Sequence, residues 1–326
     1  MKRGRSMKTG DRPNIHELAV YTVRVNTVLD YIHEHLDESL SLERLAEIAG
    51  FSPYHFHRIF KLIVKETLNR YVSRVRIEKA SRHLIFHENM SLTEIGLECG
   101  YSSIAGFSRS FKIFYGMTPT CYRQRFHLFK PRAATMAEER FRLKMQADSY
   151  SSRDIDNMIA WALDYIHKVR IIHMVPVKVL AVRHSGISDK GLSRELSHAF
   201  DEAYRQAHHH GLLHSEPEMI GMSYDDPYIT PQPLCRYDAC VTLSPHAESR
   251  DGLDIAVLPG GKYAVIDVRG SIPLFWLLCE LLVQYWLPQS GYVLDNRPVI
   301  EKHLNNPLTD PERHYRGQWC LPIKSK

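Results

Sequence analysis

The sequence holds 326 residues, of which 44% are hydrophobic and 24% charged, as is ordinary for a globular chain of two or three domains. No apolar run approaches the roughly 18 residues that span a bilayer, and the polar N-terminus lacks the apolar stretch of a secretory signal, so we predict a cytoplasmic protein without a membrane partner. The formal net charge of +5 is uneven: residues 1–130 hold 20 basic and 13 acidic residues (+7) and residues 131–326 hold 22 and 24 (−2), which favours a polyanionic partner for the first part.

The N-terminal part of the sequence has the pattern of successive helices. After a predicted disordered tail over residues 1–17, apolar residues at helical spacing predict a helix over 20–34. Ser41 then has the position of an N-cap, and the apolar stripe behind it predicts a short helix over 42–49. Gly50 ends this helix in the prediction, because glycine accepts the left-handed conformation found at helix ends.

A second helix is predicted directly after this turn, over 54–63. Ser52 is its predicted cap, and Pro53 occupies the first helical position, where a missing N–H costs little. The helix turns aromatic and aliphatic residues inward and polar residues outward. The outer residues are Tyr54, His57, Arg58 and Lys61.

This helix pair occurs twice in the sequence. Residues 41–52 return as 91–102 at an offset of 50, and the aromatic and basic positions behind them return at an offset of 51. At the second offset, Phe56, Arg58, Phe60, Lys61, Thr67 and Tyr71 correspond to Phe107, Arg109, Phe111, Lys112, Thr118 and Tyr122. A short helix, a turn of glycine and an aromatic residue, and a basic-aromatic helix predict two helix-turn-helix units in tandem.

Two interpretations of the repeated basic face are open at this point. A helical repeat with a solvated basic face would explain one copy. Two copies with Arg58 and Arg109 at corresponding outer positions favour DNA binding. The helix predicted between them, over 68–86, supports the second interpretation, because sixteen of its residues already span roughly 24 Å, and such a rod would hold two reading helices about one DNA turn apart, roughly 34 Å.

The second unit also carries a known signature. Its residues are Gly100-Tyr101, Phe107-Ser108-Arg109-Ser110-Phe111-Lys112, Tyr115-Gly116-Met117-Thr118-Pro119 and Tyr122-Arg123. This pattern resembles that of the AraC/XylS transcription activators, over roughly residues 18–127. The resemblance implies an all-α bipartite DNA-binding domain over 18–130, with double-stranded promoter DNA and RNA polymerase as partners.

Carried over position by position, the resemblance implies side chains that read bases and side chains that hold phosphates. The base-reading candidates are Tyr54, His57 and Arg58 in the first unit and Ile104, Ala105 and Arg109 in the second. The phosphate-contacting candidates are Lys61, Ser108 and Lys112. Arg109 would pair bidentately with guanine, whereas the apolar Ile104 and Ala105 would touch thymine methyl groups or leave the second unit a weak reader.

The first unit departs from the family pattern at one helix end. Lys65 stands where the family has glycine before the threonine, at the position that corresponds to Gly116. We therefore expect this helix end to be built differently. Beyond the second unit, Pro131 breaks the helical pattern, and residues 131–153 are predicted to form a partly helical linker.

The remaining residues, 154–326, are predicted to form an α+β domain. Residues 169–174 and 177–183 favour strands and, with Pro176 between them, predict a hairpin. At an offset of 80, Gly211, Ile220, Pro227, Arg236 and Cys240 correspond to Gly291, Ile300, Pro307, Arg316 and Cys320. The domain is therefore predicted to consist of two β-α-β-β units related by a pseudo-twofold axis, with a ligand cleft between them.

Several motifs of this part form a recognisable set: Tyr224-Asp225-Asp226-Pro227, Arg236-Tyr237-Asp238-Ala239-Cys240-Val241, Pro259-Gly260-Gly261-Lys262-Tyr263-Ala264-Val265 and Trp286-Leu287-Pro288 with Ser290-Gly291-Tyr292. The set resembles the GyrI-like effector domain, over about residues 170–325. The resemblance implies a cleft for a small organic effector, often aromatic or cationic. A DNA-binding domain followed by a GyrI-like domain resembles the Rob-type organisation, so we predict a ligand-controlled transcription regulator, with activation as the expected mode.

The difference between the two repeats points to the ligand site. Glu301 falls where the first copy has Gly221. A carboxylate in a cleft lined by aromatic rings would bind a cationic aromatic ligand. The candidate ring residues are Tyr237, Phe275, Trp276, Trp286 and Tyr292. The alternative is that Glu301 forms a structural ion pair with Arg236 or Arg316.

Other chemistry has little support in the sequence. Six cysteines without a CxxC pair are typical of reduced thiols, and consecutive histidines such as His208, His209 and His210 point in different directions, so we predict no metal site, cofactor or catalytic residue. We predict that the chain is not an enzyme. Two alternatives stay open: a small-molecule hydrolase in which Glu301 and a tyrosine act as acid and base, and a constitutive DNA-binding protein with a structural appendage.

Overall fold

The computed structural model describes residues 15–87, 89–129, 133–186, 194–227, 229–248, 250, 252–312 and 314–326. Residues 1–14 of the predicted tail lie outside this part, whereas residues 15–17 belong to the first helix. None of the helices within these ranges combines the length and the apolar character needed to cross a bilayer.

The N-terminal domain consists of helices that surround two apolar cores. In chain order they are α1 (Ile15–Glu34), α2 (Leu42–Ile48), α3 (Pro53–Val64), α4 (Leu68–Phe86), α5 (Leu92–Glu98), α6 (Ile104–Tyr115) and α7 (Pro119–Phe129). The first core includes Phe56 and Phe60, and the second includes Phe107 and Phe111. Helix α4 contributes to both cores, so it joins the two helix-turn-helix units into one body.

The predicted N-caps are confirmed. The hydroxyl oxygens of Ser41, Ser52 and Ser91 each accept a hydrogen bond from the backbone N–H three residues on, at 3.2, 3.4 and 3.1 Å. At Ser91 the cap is reciprocal, because its own N–H donates to Glu94 Oε2 at 2.7 Å. Such reciprocal caps satisfy two backbone donors and fix the helix start at these residues.

The expectation for Lys65 is wrong. Lys65 ends α3 in the left-handed conformation, with φ 65°, and its N–H donates to the Lys61 carbonyl. Gly116 ends α6 in the same way, with φ 71° and a bond to the Lys112 carbonyl. The two helix ends are therefore built alike. The packing of the surrounding fold stabilises this backbone conformation by more than the steric penalty of a side chain at this position costs.

The segment predicted as a linker is a packed part of the fold. Helices α8 (Ala133–Ala147) and α9 (Ser152–Tyr165) lie against the C-terminal domain. Phe141 and Met145 of α8 are buried in its core, and Arg140 pairs with Glu280 at 2.7 Å. The segment is helical, as expected, but its buried apolar residues make it a structural layer of that domain.

The C-terminal domain is an antiparallel sheet covered by helices. Its strands are β1 (Arg170–Met174), β2 (Val177–Ser185), β3 (Met219–Ser223), β4 (Arg236–Thr242), β5 (Ile255–Leu258), β6 (Gly261–Gly270), β7 (Tyr292–Leu294), β8 (Val299–His303) and β9 (Tyr315–Ser325). Its helices are α10 (Arg194–His209), α11 (Ile272–Leu281) and α12 (Leu287–Gln289), with a π-helical segment Leu282–Trp286 between the last two and short 3-10 turns at Ile166–Lys168 and Gln232–Leu234. The predicted fold class, an all-α bipartite domain followed by an α+β domain of duplicated units, is confirmed.

The strand order shows how the two units combine. It runs β1-β6-β9-β8-β3-β4-β2-β5, and β7 pairs with β9. One unit contributes β2, β3 and β4 and the other β6, β8 and β9, so the pseudo-twofold axis passes between β3 and β8. At this junction Gly221 lies directly opposite Glu301.

The predicted hairpin of β1 and β2 is wrong. β1 pairs with β6 of the other unit, and β5 pairs with β2. The two units thus exchange edge strands: β1, which precedes the first unit in the chain, pairs with the second unit, and β5, which precedes the second unit, pairs with the first. Local sequence predicts the strands but not this exchange, because pairing partners depend on contacts that are remote in the chain.

Candidate functional site

Helix α3 presents the polar residues of the first unit to solvent. Tyr54 is 71% exposed, and its ring lies 5.9 Å from the guanidinium carbon of Arg58. His57 and Lys61 are exposed on the same helix. The opposite face is buried in the first core, so the predicted outer residues share the free side of α3.

Helix α6 presents the corresponding surface of the second unit. Ile104 is 43% exposed, Ala105, Arg109 and Lys112 are exposed, and Ser108 is half-buried. Ser103 caps the helix, since its hydroxyl oxygen accepts from Gly106 N–H at 3.1 Å. Both helices therefore offer an arginine and a lysine one turn apart, a geometry suited to base edges and phosphates in a major groove.

A cavity of about 240 Å³ lies beside the junction of the two units of the C-terminal domain. Among the predicted ligand residues, the structure brings Glu301, Tyr237, Phe275 and Trp276 together in its walls. The indole N–H of Trp276 is buried without a hydrogen-bond partner among the residues that the structure describes. The cavity thus combines aromatic walls with several polar groups, as small-molecule sites commonly do.

Three polar side chains converge at one end of this cavity. The Tyr237 hydroxyl lies 3.0 Å from Glu301 Oε2 and 3.0 Å from His303 Nε2. A hydroxyl donates one proton, so Tyr237 donates to the carboxylate and accepts from the neutral imidazole in the tautomer that carries its proton on Nε2. This chain of hydrogen bonds fixes the position of the Glu301 carboxylate.

Burial controls the protonation of these groups. It raises the pKa of Glu301 to about 7, although the hydrogen bond from Tyr237 opposes that shift. It lowers the pKa of His303 to about 4 and raises the pKa of Tyr237 well above its usual value. Near neutral pH the histidine and the tyrosine are therefore uncharged, and Glu301 exchanges its proton readily.

The ion-pair alternative for Glu301 is wrong in both forms. Arg236 donates to Asp225 at 2.8 Å, and Arg316 donates to Asp310 at 3.4 Å. Burial raises the pKa of Asp225, but its bonds to Arg236 outweigh that effect and hold the pKa below its ordinary value. Both arginines have other acidic partners, so neither neutralises the cavity carboxylate.

The asymmetry between the units makes room for the contact between the Tyr237 hydroxyl and this carboxylate. A β-carbon on Gly221 would overlap the Tyr237 hydroxyl, so only glycine permits the tyrosine to reach Glu301. In the second unit Gly317 occupies the position of Tyr237, at an offset of 80. One unit thus supplies the tyrosine and the other the carboxylate.

Two predicted ring residues lie elsewhere. Trp286 belongs to the π-helical segment and packs against the core of the C-terminal domain. Tyr292 lines a separate, larger groove of about 960 Å³, and the Lys262 ammonium lies 5.4 Å from its ring centre. Neither is a wall of the cavity that holds Glu301.

The sequence prediction missed several cavity residues. His303, Tyr315 and Trp319 line the cavity and occupy the positions of Ser223, Cys235 and Ala239 of the first unit. The same comparison of copies that selected Glu301 would have found them. The cavity is also lined by Arg82, Ile85, Phe86 and Phe126 of the helical domain, and no local signal marks these residues. Within the described ranges, no group of histidine, cysteine, aspartate or glutamate is arranged to hold a metal ion.

Comparison with known families identifies both domains. A model described as a GyrI-like small molecule binding domain matches residues 167–324, and a model described as a helix-turn-helix domain matches residues 45–125. Together these matches cover the two halves whose geometry is described above.

Curated relatives match the helical domain. The bifunctional transcriptional activator/DNA repair enzyme AdaA of Bacillus subtilis (strain 168) is 38% identical over 100 residues, which are 31% of this chain and 47% of that protein. The probable transcriptional regulator LumQ of Photobacterium leiognathi is 35% identical over 102 residues, 31% of this chain and 41% of that protein. The match thus spans less than half the length of these relatives.

Solved structures resemble each domain separately. The DNA-binding domain of AdpA in complex with a target DNA is 26% identical, with a TM-score of 0.32, over 33% of this chain and 97% of that one. The C-terminal domain of EcmrR is 12% identical, with a TM-score of 0.41, over 48% of this chain and 98% of that one.

Proposed function

We propose that this chain, whose N-terminal part matches a helix-turn-helix model and whose C-terminal part matches a GyrI-like small molecule binding model, is a DNA-binding transcription regulator controlled by a small organic effector. The observation that carries the proposal is the matched pair of recognition helices. α3 and α6 pack on successive parts of α4, and each leaves an arginine and a lysine exposed. Such a pair suits two adjacent major grooves of one site.

The two units would read DNA unequally. The first unit offers Tyr54, His57 and Arg58, which are all polar. The second offers Arg109 beside the apolar Ile104 and Ala105, which suit thymine methyl groups. We therefore propose an asymmetric operator with Arg58 and Arg109 as its base-reading anchors and with Lys61, Ser108 and Lys112 on phosphates.

Selection of bound duplexes from a random DNA pool tests this proposal. The native chain should enrich one asymmetric site. Arg58→Ala and Arg109→Ala should each relax the sequence in a different half of that site, with a loss of about 1–3 kcal/mol at the base pair concerned. Arg205→Ala, which removes an exposed arginine of the C-terminal domain, is the matched control and should leave the selected sequence unchanged. If neither recognition-helix variant altered the enriched sequence, the assignment of α3 and α6 would be wrong.

The effector would occupy the cavity that holds Glu301. A carboxylate beside Phe275 and Trp276 favours a flat organic cation, since both ion pairing and contact with ring faces stabilise such a ligand. Occupancy would change the affinity for the promoter or the contact with RNA polymerase. Activation is the mode that we propose.

The effector role is tested with an in vitro transcription assay and a panel of aromatic cations. At least one cation should change promoter output from the native chain. Glu301→Gln should abolish that response and leave the DNA affinity without ligand intact, because the residue lies in the C-terminal domain. A full response from Glu301→Gln, or a panel without effect, would contradict ligand control through this carboxylate.

A second candidate function is hydrolysis of a small electrophile. The bond between Tyr237 and Glu301, and a carboxyl whose pKa is near 7, favour it, because such a pair transfers protons at neutral pH. Incubation of the native chain with candidate electrophiles separates the two functions. Product that accumulates over many turnovers and disappears in Glu301→Gln supports the hydrolase, and binding without turnover supports the regulator.

A further inference from the structure

One wall of the effector cavity is supplied by the DNA-binding domain. Arg82, Ile85 and Phe86 of α4 line the cavity, as does Phe126 of α7. All four precede the segment matched by the GyrI-like model, which begins at residue 167. The cavity is therefore enclosed by both domains.

Apolar packing holds this wall in place. Phe86 is half-buried against the core of the C-terminal domain, the same core that contains Phe275 and Trp319 of the cavity. Phe126 remains 37% exposed at the end of α7. Because this ring removes apolar surface of both domains from water, Phe86 is a substantial part of this contact.

Charge also differs between the two sides of the cavity. Asp226, in the loop after β3, faces Arg82 of α4. Burial raises the pKa of Asp226 to about 6, and the Arg82 guanidinium opposes that shift. Since Glu301 is a second acidic group of this cavity, Arg82 is the basic charge that the helical domain adds to an acidic site.

The position of α4 is fixed by contacts of its own domain with the sheet. Arg183 of β2 binds Asp30 of α1 at 2.9 Å, and Asn26 of α1 donates to Asp254 at 2.8 Å. These bonds hold α1 on the sheet. Because α1, α3 and the start of α4 share one core, they also hold α4 across the cavity.

We propose that the effector site is a composite of both domains, in which Phe86 and Phe126 contact the ligand and Arg82 limits its positive charge. The proposal rests on the effector function proposed above and assigns part of that site to the DNA-binding domain. Helix α4 joins the two helix-turn-helix units, so a ligand in this site touches the element that sets their spacing. Ligand and DNA would then alter each other's affinity by the same factor.

The test measures binding of proflavine, a fluorescent aromatic cation small enough for the cavity, to the full chain by fluorescence anisotropy. Phe86→Ala should weaken binding about tenfold, as expected for the loss of about 1.4 kcal/mol of apolar contact. Arg82→Gln should strengthen it about threefold, because a like charge near the dye is removed. Phe114→Ala is the matched control: it truncates a 39% exposed ring of α6, outside the cavity, and should change the affinity less than about twofold.

The outcomes separate the composite site from the effector function. Opposite effects of Phe86→Ala and Arg82→Gln support the composite site, since general unfolding would weaken binding in both. If Glu301→Gln abolished binding while both α4 variants bound as the native chain does, the composite site would be overturned and the effector function would stand. If the native chain showed no saturable binding, the effector function would fail and the composite site with it.

Circular dichroism checks that each variant is folded. If Phe86→Ala unfolds, Phe86→Leu replaces it, because leucine keeps most of the apolar volume. Phe86→Leu should weaken binding less than the roughly tenfold expected for Phe86→Ala.

Discussion

At the scale of single residues, the cavity depends on one buried carboxyl. Glu301 is only 12% exposed, and its nearest polar partner is a neutral hydroxyl. A carboxylate in such a place is poorly solvated, so the folded chain favours its protonated form. Since none of the residues that the structure describes gives Glu301 a cationic partner, its carboxyl group is available to a bound cation.

This environment predicts a specific dependence of stability on pH. In the folded chain the pKa of Glu301 is about 7, and in the unfolded chain it is close to the ordinary 4.3. Between these values the folded state holds a proton that the unfolded state has released, so the free energy of unfolding falls as pH rises through this window, by about 4 kcal/mol in all. His303 acts in the opposite direction, because its folded pKa of about 4 lies below its ordinary value.

The difference between native chain and Glu301→Gln isolates the carboxyl, since His303 contributes to both. Urea unfolding at pH 5, 6, 7 and 8 measures this difference. The free energy of unfolding of the variant should increase relative to that of the native chain as pH rises. Parallel curves across this range would mean that Glu301 is ionised in the folded chain already at pH 5.

Gly221 gives a second prediction at this scale. A β-carbon there would displace the Tyr237 hydroxyl and break its bonds to Glu301 and His303. Gly221→Ala should therefore lower the free energy of unfolding by about 2–3 kcal/mol, through overpacking and unsatisfied polar groups. Gly96→Ala is the control, because its added carbon would make an ordinary 3.5 Å contact with Phe107; a helical glycine replaced by alanine should be neutral or stabilising. Equal effects of the two substitutions would contradict the role given to Gly221.

At the scale of elements, the sequence predicts what is decided locally. The caps at Ser41, Ser52 and Ser91 follow from side-chain chemistry within four residues, and they appear where expected. The pairing of β1 with β6 does not follow, because it joins segments about 90 residues apart and both possible partners are apolar strands. The buried face of α8 was missed for a related reason, since its partner α11 lies far along the chain.

At Lys65 the fold imposes a backbone conformation that the local sequence does not favour. A non-glycine residue at φ 65° carries a steric penalty of about 1–2 kcal/mol. Lys65→Gly should therefore raise the free energy of unfolding by about 1 kcal/mol, and Gly116→Lys should lower it by a similar amount. Thermal unfolding of both variants beside the native chain measures this. A loss of stability in Lys65→Gly would mean that the lysine side chain makes a stabilising contact that outweighs the strain.

At the scale of the whole molecule, buried charges connect the two domains. Arg183 is 6% exposed and binds Asp238 of its own sheet at 2.7 Å as well as Asp30 of α1. Arg236 is also buried, and its Nη2 lies 3.5 Å from His33 Nδ1 of α1. The combination of two domains could be predicted from their motifs. The contact between them could not, because its charged residues have no periodicity that distinguishes them from solvated ones.

These contacts predict that both domains unfold together. All four tryptophans, Trp161, Trp276, Trp286 and Trp319, lie in α9 or in the C-terminal domain that α9 packs against. Tryptophan fluorescence therefore reports that domain, while far-UV circular dichroism also reports α1–α7. The two signals should change at the same urea concentration in the native chain. Coincident transitions are the mark of a single cooperative unit.

Arg183→Ala should separate them. The substitution leaves Asp238, which is 1% exposed, without its cation, and removal of one partner from a buried pair costs about 3–5 kcal/mol. It also frees Asp30, so α1 loses a bond to the sheet, and the dichroism of the helical domain should no longer follow the fluorescence. Arg44→Ala removes the exposed pair with Glu47 within α2 and should leave the stability close to that of the native chain, with both signals still coincident. If the two signals of Arg183→Ala remained superimposed at nearly native stability, the arginine would not hold the domains together, and the wall that α4 adds to the cavity would depend on the apolar contact of Phe86 alone.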